Sequence, residues 1–166
     1  MSSTIAILSD THDNLAKLKL ALEVLRQENI QTIIHCGDLT NPDTAWHFHG
    51  FKVIHATGNG DQLSDEIRQI LAEIDANSFS GSVYEGAIEG ISVAVTHGHI
   101  FGKVESLAGS GQYKYVFHGH THRRRQELIG DCMVINPGAL GGLKRESRSF
   151  AMLDLSTNRL TIKELP

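Results

Sequence analysis

A chain of 166 residues with 15 basic and 19 acidic side chains has room for one hydrophobic core, and its net charge of −4 argues against a general nucleic-acid or membrane-surface binder. It has no apolar run of about 18 residues that would span a bilayer. The two cysteines, Cys36 and Cys132, sit inside apolar runs and read as buried reduced thiols rather than as a disulfide framework.

The N-terminal Met1-Ser2-Ser3-Thr4 passes directly into a strand-like run, with no basic or apolar leader, so a cytoplasmic protein is expected. Thr4 to Leu8 predicts a strand, followed by the polar turn Ser9-Asp10-Thr11-His12-Asp13-Asn14. Leu15, Leu18, Leu22 and Leu25 then recur on one helical face, with Asp13 or Asn14 as N-cap. A buried strand over Thr32 to His35 closes in Cys36-Gly37-Asp38.

Pro42 to Phe48 predicts a short helix, and Phe51 to Ala56 a strand ending in Thr57-Gly58-Asn59-Gly60-Asp61. Ser64 to Ile74 is helical, with Ile67, Ile70, Leu71 and Ile74 together. Strands are expected at Ser82 to Ala87 and Ile91 to Thr96, joined at Glu89-Gly90. After His97-Gly98-His99 comes a helix over Lys103 to Ala108, then a strand over Tyr113 to Phe117 ending in His118-Gly119-His120-Thr121-His122.

The last third predicts strands at Gln126 to Ile129, Cys132 to Ile135, Phe150 to Leu155 and Leu160 to Glu164. Gly138 to Gly142, with Lys144, Arg145 and Arg148 after it, reads as an exposed, mobile loop. No linker divides the chain. One domain over residues 1–166 is expected, an α/β protein of the αββα sandwich type, with two sheets packed together and helices on the outer faces.

Ten histidines are an unusual number, and their position at strand ends is informative. Asp10 and His12, Asp38, Asn59, His97, and His120 with His122 all fall in turns that follow strands. Loops at the carboxyl ends of strands in an α/β sheet gather at one edge, so five turns can converge on one pocket. Carboxylate, amide and imidazole donors suit borderline divalent metals, and seven of them suit two ions better than one. Each piece alone is an ordinary polar turn; the ordered conjunction carries the signal.

These motifs resemble the calcineurin-like metallophosphoesterase superfamily, whose D-x-H, G-D, G-N, H and G-H-x-H segments read here as Asp10-Thr11-His12, Gly37-Asp38, Gly58-Asn59, His97 and Gly119-His120-Thr121-His122. The small size, Thr96-His97-Gly98-His99 and Asn136-Pro137-Gly138 are most similar to its small prokaryotic phosphodiesterase branch, a neighbourhood that also holds the retromer subunit of this fold. The resemblance implies two divalent metal ions, Mn first, with Ni, Fe, Co or Zn as alternatives. It implies Asp10, His12, Asp38 and His122 around the first ion, Asp38 bridging to the second, and Asn59, His97 and His120 completing it. A bridging water with a lowered pKa would be the nucleophile.

Two departures qualify that expectation. Many members of the family carry a histidine after G-N that protonates the leaving group or contacts the phosphate; here the position is Gly60, which leaves the general acid unassigned, with His99 as the candidate substitute against the plainer reading of a rim histidine bonded to backbone. Arg123-Arg124-Arg125 follows the last metal turn, and Arg123 is the residue proposed to hold phosphate oxygens, against the plainer reading of a solvated charge run. The expected function is hydrolysis of a small phosphate diester. A phosphomonoesterase is the close variant, and a non-catalytic interaction scaffold and a nuclease are the competing classes. A nucleic-acid polymer substrate is disfavoured by the lack of a long basic strip, and a homo-oligomer through the apolar C-terminal strands is left open.

Overall fold

Alternation of apolar side chains along the first strand sets the layering of the molecule. In the computed structural model, which describes residues 3–166, β1 (Thr4–Leu8) sends Ile5 and Ile7 into one core cluster and Ala6 and Leu8 into another. A strand buried on both faces belongs between two layers. The α1 helix (Leu15–Gln27) covers one of those faces with Leu18, Ala21, Leu22 and Leu25. Of the two expected caps it uses Asn14, whose side chain accepts from the Lys17 N–H at 3.2 Å. Past its C-cap at Glu28 the chain turns away at Asn29, in the left-handed region (φ 56°), with the Ile30 N–H returning to the Leu25 carbonyl at 2.9 Å.

β2 (Thr32–His35) and β3 (Lys52–Ala56) lie parallel to β1 in the order β1-β2-β3. Between them, the expected helix over Pro42 to Phe48 splits into α2 (Pro42–Ala45) and a 3₁₀ turn (Trp46–Phe48). α3 (Ser64–Ile74) then places Ile67 and Leu71 on the same sheet face as α1. A short edge strand that the sequence did not suggest, β4 (Phe79–Gly81), pairs parallel with β3. Its residues, Phe-Ser-Gly, make no apolar run, and the backbone pairing rather than side-chain burial defines it.

β5 (Val83–Ile88) and β6 (Ile91–Thr96) form the expected hairpin of a second sheet, turning at Glu89-Gly90 with both φ angles positive. α4 (Lys103–Gly109), β7 (Tyr115–Phe117), β8 (Arg125–Ile129) and β9 (Cys132–Asn136) complete that sheet in the order β5-β6-β7-β9-β8. β10 (Ser149–Asp154) and β11 (Arg159–Glu164) return to the first sheet, giving β11-β10-β1-β2-β3-β4.

Three hydrophobic clusters mark the three interlayer spaces of an αββα sandwich. One lies between α1, α2, α3 and the first sheet, around Leu22, Phe48 and Ile67. The middle one, with Ile7, Ile34, Val95, Phe117 and Ile135, lies between the sheets, and the third packs Val104, Leu107 and Ala108 of α4 on Val116 and Val134. Cys36 and Cys132 are both buried and unbridged. Among the described residues no helix is long and apolar enough to cross a membrane.

The C-terminal loop departs from expectation. Ala139, Leu140 and Gly141 are buried, and exposure begins only at Gly142. Leu140 belongs to the cluster under α1, while its N–H donates to the Ser9 carbonyl and that of Gly141 to the Asp10 carbonyl, at 3.1 and 2.7 Å. A glycine-rich stretch reads as mobile from composition, but here the missing side chains let the backbone lie flat against the turn after β1.

Candidate metal centre

β1, β2, β3, β6, β7 and β9 all deliver their carboxyl ends to one edge of the sandwich, three from each sheet. The turns are locked together by backbone bonds: the Asp10 N–H donates to Gly37 O, that of His12 to Asp38 O, and that of Gly119 to His97 O, at 2.9, 2.9 and 3.0 Å. Five of the seven expected ligands, Asp10, His12, Asp38, His120 and His122, have positive φ, between 44° and 69°. Left-handed backbone costs a non-glycine residue of order 1–3 kcal/mol and concentrates at functional sites, with Asp and His among the side chains that tolerate it.

Glycines allow the approach. A Cβ on Gly119 would lie 1.8 Å from Ser9 Oγ, and one on Gly58 would lie 2.6 Å from the Asp38 nitrogen. These two motif glycines exist because the turns pass within contact distance of the acidic ligands.

Asp10 is fully buried, and its two oxygens differ. Oδ2 accepts from Ser9 Oγ–H at 2.6 Å and from the His120 N–H at 3.0 Å. Oδ1 is the one buried side-chain polar atom among the described residues with no hydrogen-bond partner. It is faced by His122 Nε2 at 3.2 Å, His12 Nε2 at 3.6 Å and His97 Nε2 at 4.0 Å. Asp38 Oδ2 stands 3.3 Å from His97 Nε2 and 3.4 Å from His12 Nε2.

The imidazoles meet nitrogen to nitrogen, His12 Nε2 and His122 Nε2 at 3.2 Å and His97 Nε2 and His120 Nδ1 at 3.3 Å. His97 Nδ1–H donates to Cys36 O and His122 Nδ1–H to Leu143 O, both at 2.6 Å. A carbonyl can only accept, so both rings, when neutral, present the Nε2 lone pair inward. Each of these two lone pairs faces an imidazole nitrogen and a carboxylate oxygen, an arrangement that an N–H of the neighbouring ring or a shared cation satisfies. Donors arranged tetrahedrally at about 2.0–2.1 Å from an ion lie ~3.3 Å from one another, which is the spacing here.

Two groups of three therefore can hold a metal ion, Asp10 with His12 and His122, and Asp10 with Asp38 and His97. His120 extends the second through His97. Asn59 lies in the exposed turn after β3, next to Gly60, whose N–H donates to Asp38 Oδ1 at 2.7 Å. His99 is exposed on the rim, its ring 5.4 Å from that of His97 and 6.3 Å from that of His120. The arginine run divides: Arg124 pairs with Glu164 and Arg125 with Glu105 and Glu127, whereas the Arg123 side chain is exposed and makes none of these contacts.

Electrostatics follow from this crowding. Burial pushes the Asp10 carboxyl up, but contacts with His12, His122 and Ser9 outweigh it and hold the group well below the carboxylate range. Asp38 is lowered in the same way, with His97 as the main counterweight to burial. His97 is raised because the two carboxylates overcome its desolvation, and His122 is raised by its contact with Asp10. His120 is lowered by burial and by His97. The centre is an anionic pair of carboxylates wrapped in imidazole, as a divalent cation requires.

Several supporting residues carried no role in the sequence reading. Asp61 is buried beneath the second and third turns, where its carboxylate accepts from the N–H groups of Asp38, Thr40 and Gly58 at 3.0, 2.7 and 2.8 Å. Asn136 donates to Gly119 O and Thr121 Oγ1, both at 3.0 Å, and so fixes the His120-Thr121-His122 turn. The Asp of Gly-Asn-Gly-Asp and the Asn of Asn-Pro-Gly are turn signals, which is the trace they left in the sequence.

His35 is the third such residue. It is fully buried, accepts from the Gly37 N–H through Nδ1 at 3.2 Å, and reaches Thr11 Oγ1 through Nε2 at 2.8 Å. Burial pushes it down to about 3, with His55 adding to the effect. A histidine depressed in the folded state protonates first in the unfolded one, so it costs stability as pH falls below about 6.5 and down to its folded value. At pH 5 this one group is expected to remove ~2 kcal/mol relative to pH 8, at 1.36 kcal/mol per unit. Urea unfolding of the metal-free protein at the two pH values checks it: His35→Gln is expected to lose that share of the acid sensitivity, and an unchanged pH dependence would contradict the assignment.

Comparison with known proteins agrees with the geometry. Residues 4–158 match the calcineurin-like phosphoesterase superfamily domain. A phosphodiesterase of Methanocaldococcus jannaschii is 33% identical over 152 residues, which cover 90% of this chain and 92% of that protein. A solved archaeal phosphodiesterase superposes with a TM-score of 0.93 at 31% identity, covering 98% of this chain and 99% of the other. The zinc-complexed Vps29 of Entamoeba histolytica shares the fold, with a TM-score of 0.69 at 20% identity over 96% of this chain and 89% of that one. With most of the chain matched, and with its strand-end turns carrying the motifs in order, this protein belongs to the calcineurin-like phosphoesterase superfamily.

Proposed function

We propose that the chain, acting as one domain, is a metal-dependent phosphodiesterase that hydrolyses a small phosphate diester at a dinuclear centre. The observation that carries this reading is Asp10 Oδ1, buried, without a donor, and faced by the Nε2 atoms of three histidines. Asp10, His12, Asp38 and His122 would hold one ion, and Asp38, Asn59, His97 and His120 the other, with manganese the first choice. Bound there, two divalent cations would supply a water of lowered pKa and charge to neutralise the phosphoryl oxygens.

The chain's own side chains do the rest. Arg123 is exposed beside His122 and takes the non-bridging phosphate oxygens as a fork-shaped cation. Gly60 puts no side chain over Asp38, so the proton for the leaving group comes from the rim, where His99 stands next to His97 and His120. General acid catalysis is worth about 10²–10⁴-fold and matters most for poor leaving groups. His99→Ala is therefore expected to leave turnover of a nitrophenyl diester within about threefold and to slow an alkyl diester by about 10²-fold. Equal effects on the two substrates would remove His99 from the acid role.

The reading as a whole is tested with metal-free protein supplied with Mn, Ni, Co or Zn and bis(p-nitrophenyl) phosphate. Turnover that appears with metal and exceeds that of p-nitrophenyl phosphate supports a diesterase. No turnover with any of the four ions overturns the enzyme reading in favour of the interaction scaffold.

A further inference from the structure

The backbone of residues 141–143 supports two of the histidines at once. Gly141 lies so close to the first turn that a Cβ on it would stand 2.1 Å from the Thr11 carbonyl. A Cβ on Gly142, whose φ is 65°, would stand 2.5 Å from His12 Cδ2 and 2.8 Å from His122 Cε1. Leu143 supplies the carbonyl that accepts from His122 Nδ1–H at 2.6 Å. Gly142 and Leu143 are themselves exposed, so core packing does not hold this peptide in place.

Arg148 holds it. Its two terminal nitrogens donate separately, Nη1 to Gly141 O and Nη2 to Gly142 O, each at 2.7 Å. The backbone of Arg148 is anchored in turn, since its carbonyl accepts from the Leu165 N–H at 2.8 Å at the edge of the first sheet. The planar fork of an arginine spans two successive carbonyls and fixes the orientation of both peptides; a lysine ammonium is a point donor.

We infer that Arg148 is a positioning residue for the metal centre: by clamping the carbonyls of Gly141 and Gly142 it sets the Leu143 carbonyl against His122, and so holds the His122 lone pair on the ion shared with Asp10 and His12. This rests on the proposed metal site, and it assigns a role that differs between the two ions. The position built on Asp38 and His97 takes its support from Cys36 O, Gly60 N and Asp61, none of which Arg148 touches. Loss of such outer support costs about 10–100-fold in metal affinity.

Two readouts test the inference. In metal-free protein at pH 8, ¹⁵N-labelled histidine is expected to show His122 as the Nδ1–H tautomer, and Arg148→Ala is expected to lose that preference. This holds whether or not the protein proves to bind metal, so it separates failure of the clamp from failure of the dinuclear reading. In a calorimetric titration with Mn, Arg148→Ala is expected to weaken one of two ions by 10–100-fold and leave the other within about twofold. Arg148→Lys, which keeps the charge and serves if the alanine variant does not fold, is expected to recover only part of the loss. An unchanged His122 tautomer, equal weakening of both ions, or full recovery with lysine would overturn the inference.

Discussion

Asp10→Asn is expected to lose about 10³-fold or more in metal-dependent diester hydrolysis while the protein stays folded. Two metals contribute several kcal/mol of charge stabilisation to a phosphoryl transition state, and every 1.36 kcal/mol is tenfold in rate. An asparagine oriented with its carbonyl oxygen at the Oδ2 position still accepts from Ser9 and from the His120 N–H, so the turn is retained. What disappears is the anionic oxygen that faces His12, His97 and His122, the Asp10 ligand of the proposed first ion. The second consequence is thermal. A ligand at about a thousand times its Kd stabilises by ~4 kcal/mol, or roughly 8–16 °C in Tm for a chain of this size. Manganese is expected to give that increment to the wild type and clearly less to Asp10→Asn, which keeps a full ligand set only for the proposed second ion. An Asp10→Asn variant that gains the full wild-type increment from manganese would show that Asp10 is not a ligand.

The second large effect belongs to a residue that touches no substrate. Asp61→Ala removes the acceptor of three backbone N–H groups and the partner of His55, which sits 3.1 Å away in a fully buried pair. Stranding a buried donor costs about 1–3 kcal/mol, so the variant is expected to lose ~3 kcal/mol or more, and roughly 6–12 °C in Tm. Because one of those donors is Asp38 N–H, manganese affinity is expected to fall as well, by about 10–100-fold. Asp61→Asn keeps one carbonyl oxygen and is expected to recover part of both losses. The carboxyl is held well below the carboxylate range: burial pushes it up, but His55 and the backbone donors outweigh burial. Its contribution to stability is therefore present at neutral pH and is lost as pH falls from about 4 toward its folded value. Differential scanning calorimetry of the three proteins with and without metal checks each figure. An alanine variant within a degree or two of the wild type would show that the turns hold without Asp61.

Much of this architecture was legible in the chain because the two periodicities alternate cleanly. Leu18, Leu22 and Leu25 announce α1, and Ile33-Ile34 announces a strand buried on both faces; both fall where the structure has them. The strand-end turns were legible for a different reason. Asp10, His12, Asp38, His97, His120 and His122 are polar residues set directly after apolar runs, and in an α/β sheet that position leads to the functional edge. β4 was hidden because an edge strand of three residues needs neither alternation nor β-branched side chains, only a backbone ladder with β3. The loop after β9 reads as mobile because composition records the glycines but not the backbone they bring against Ser9, Asp10 and Thr11. For the same reason the structural parts played by Asp61, Asn136 and Arg148 are hidden: each bonds backbone atoms, and a main-chain partner leaves no signature in the sequence.

Anomalous diffraction from crystals grown with saturating manganese tests the central claim most directly, since it locates ions without reference to any substrate. Two peaks roughly 3.5–4 Å apart between Asp10, Asp38 and the ring of histidines are expected. A single peak at that edge of the sandwich, or none, would contradict the dinuclear centre on which the proposed hydrolysis depends.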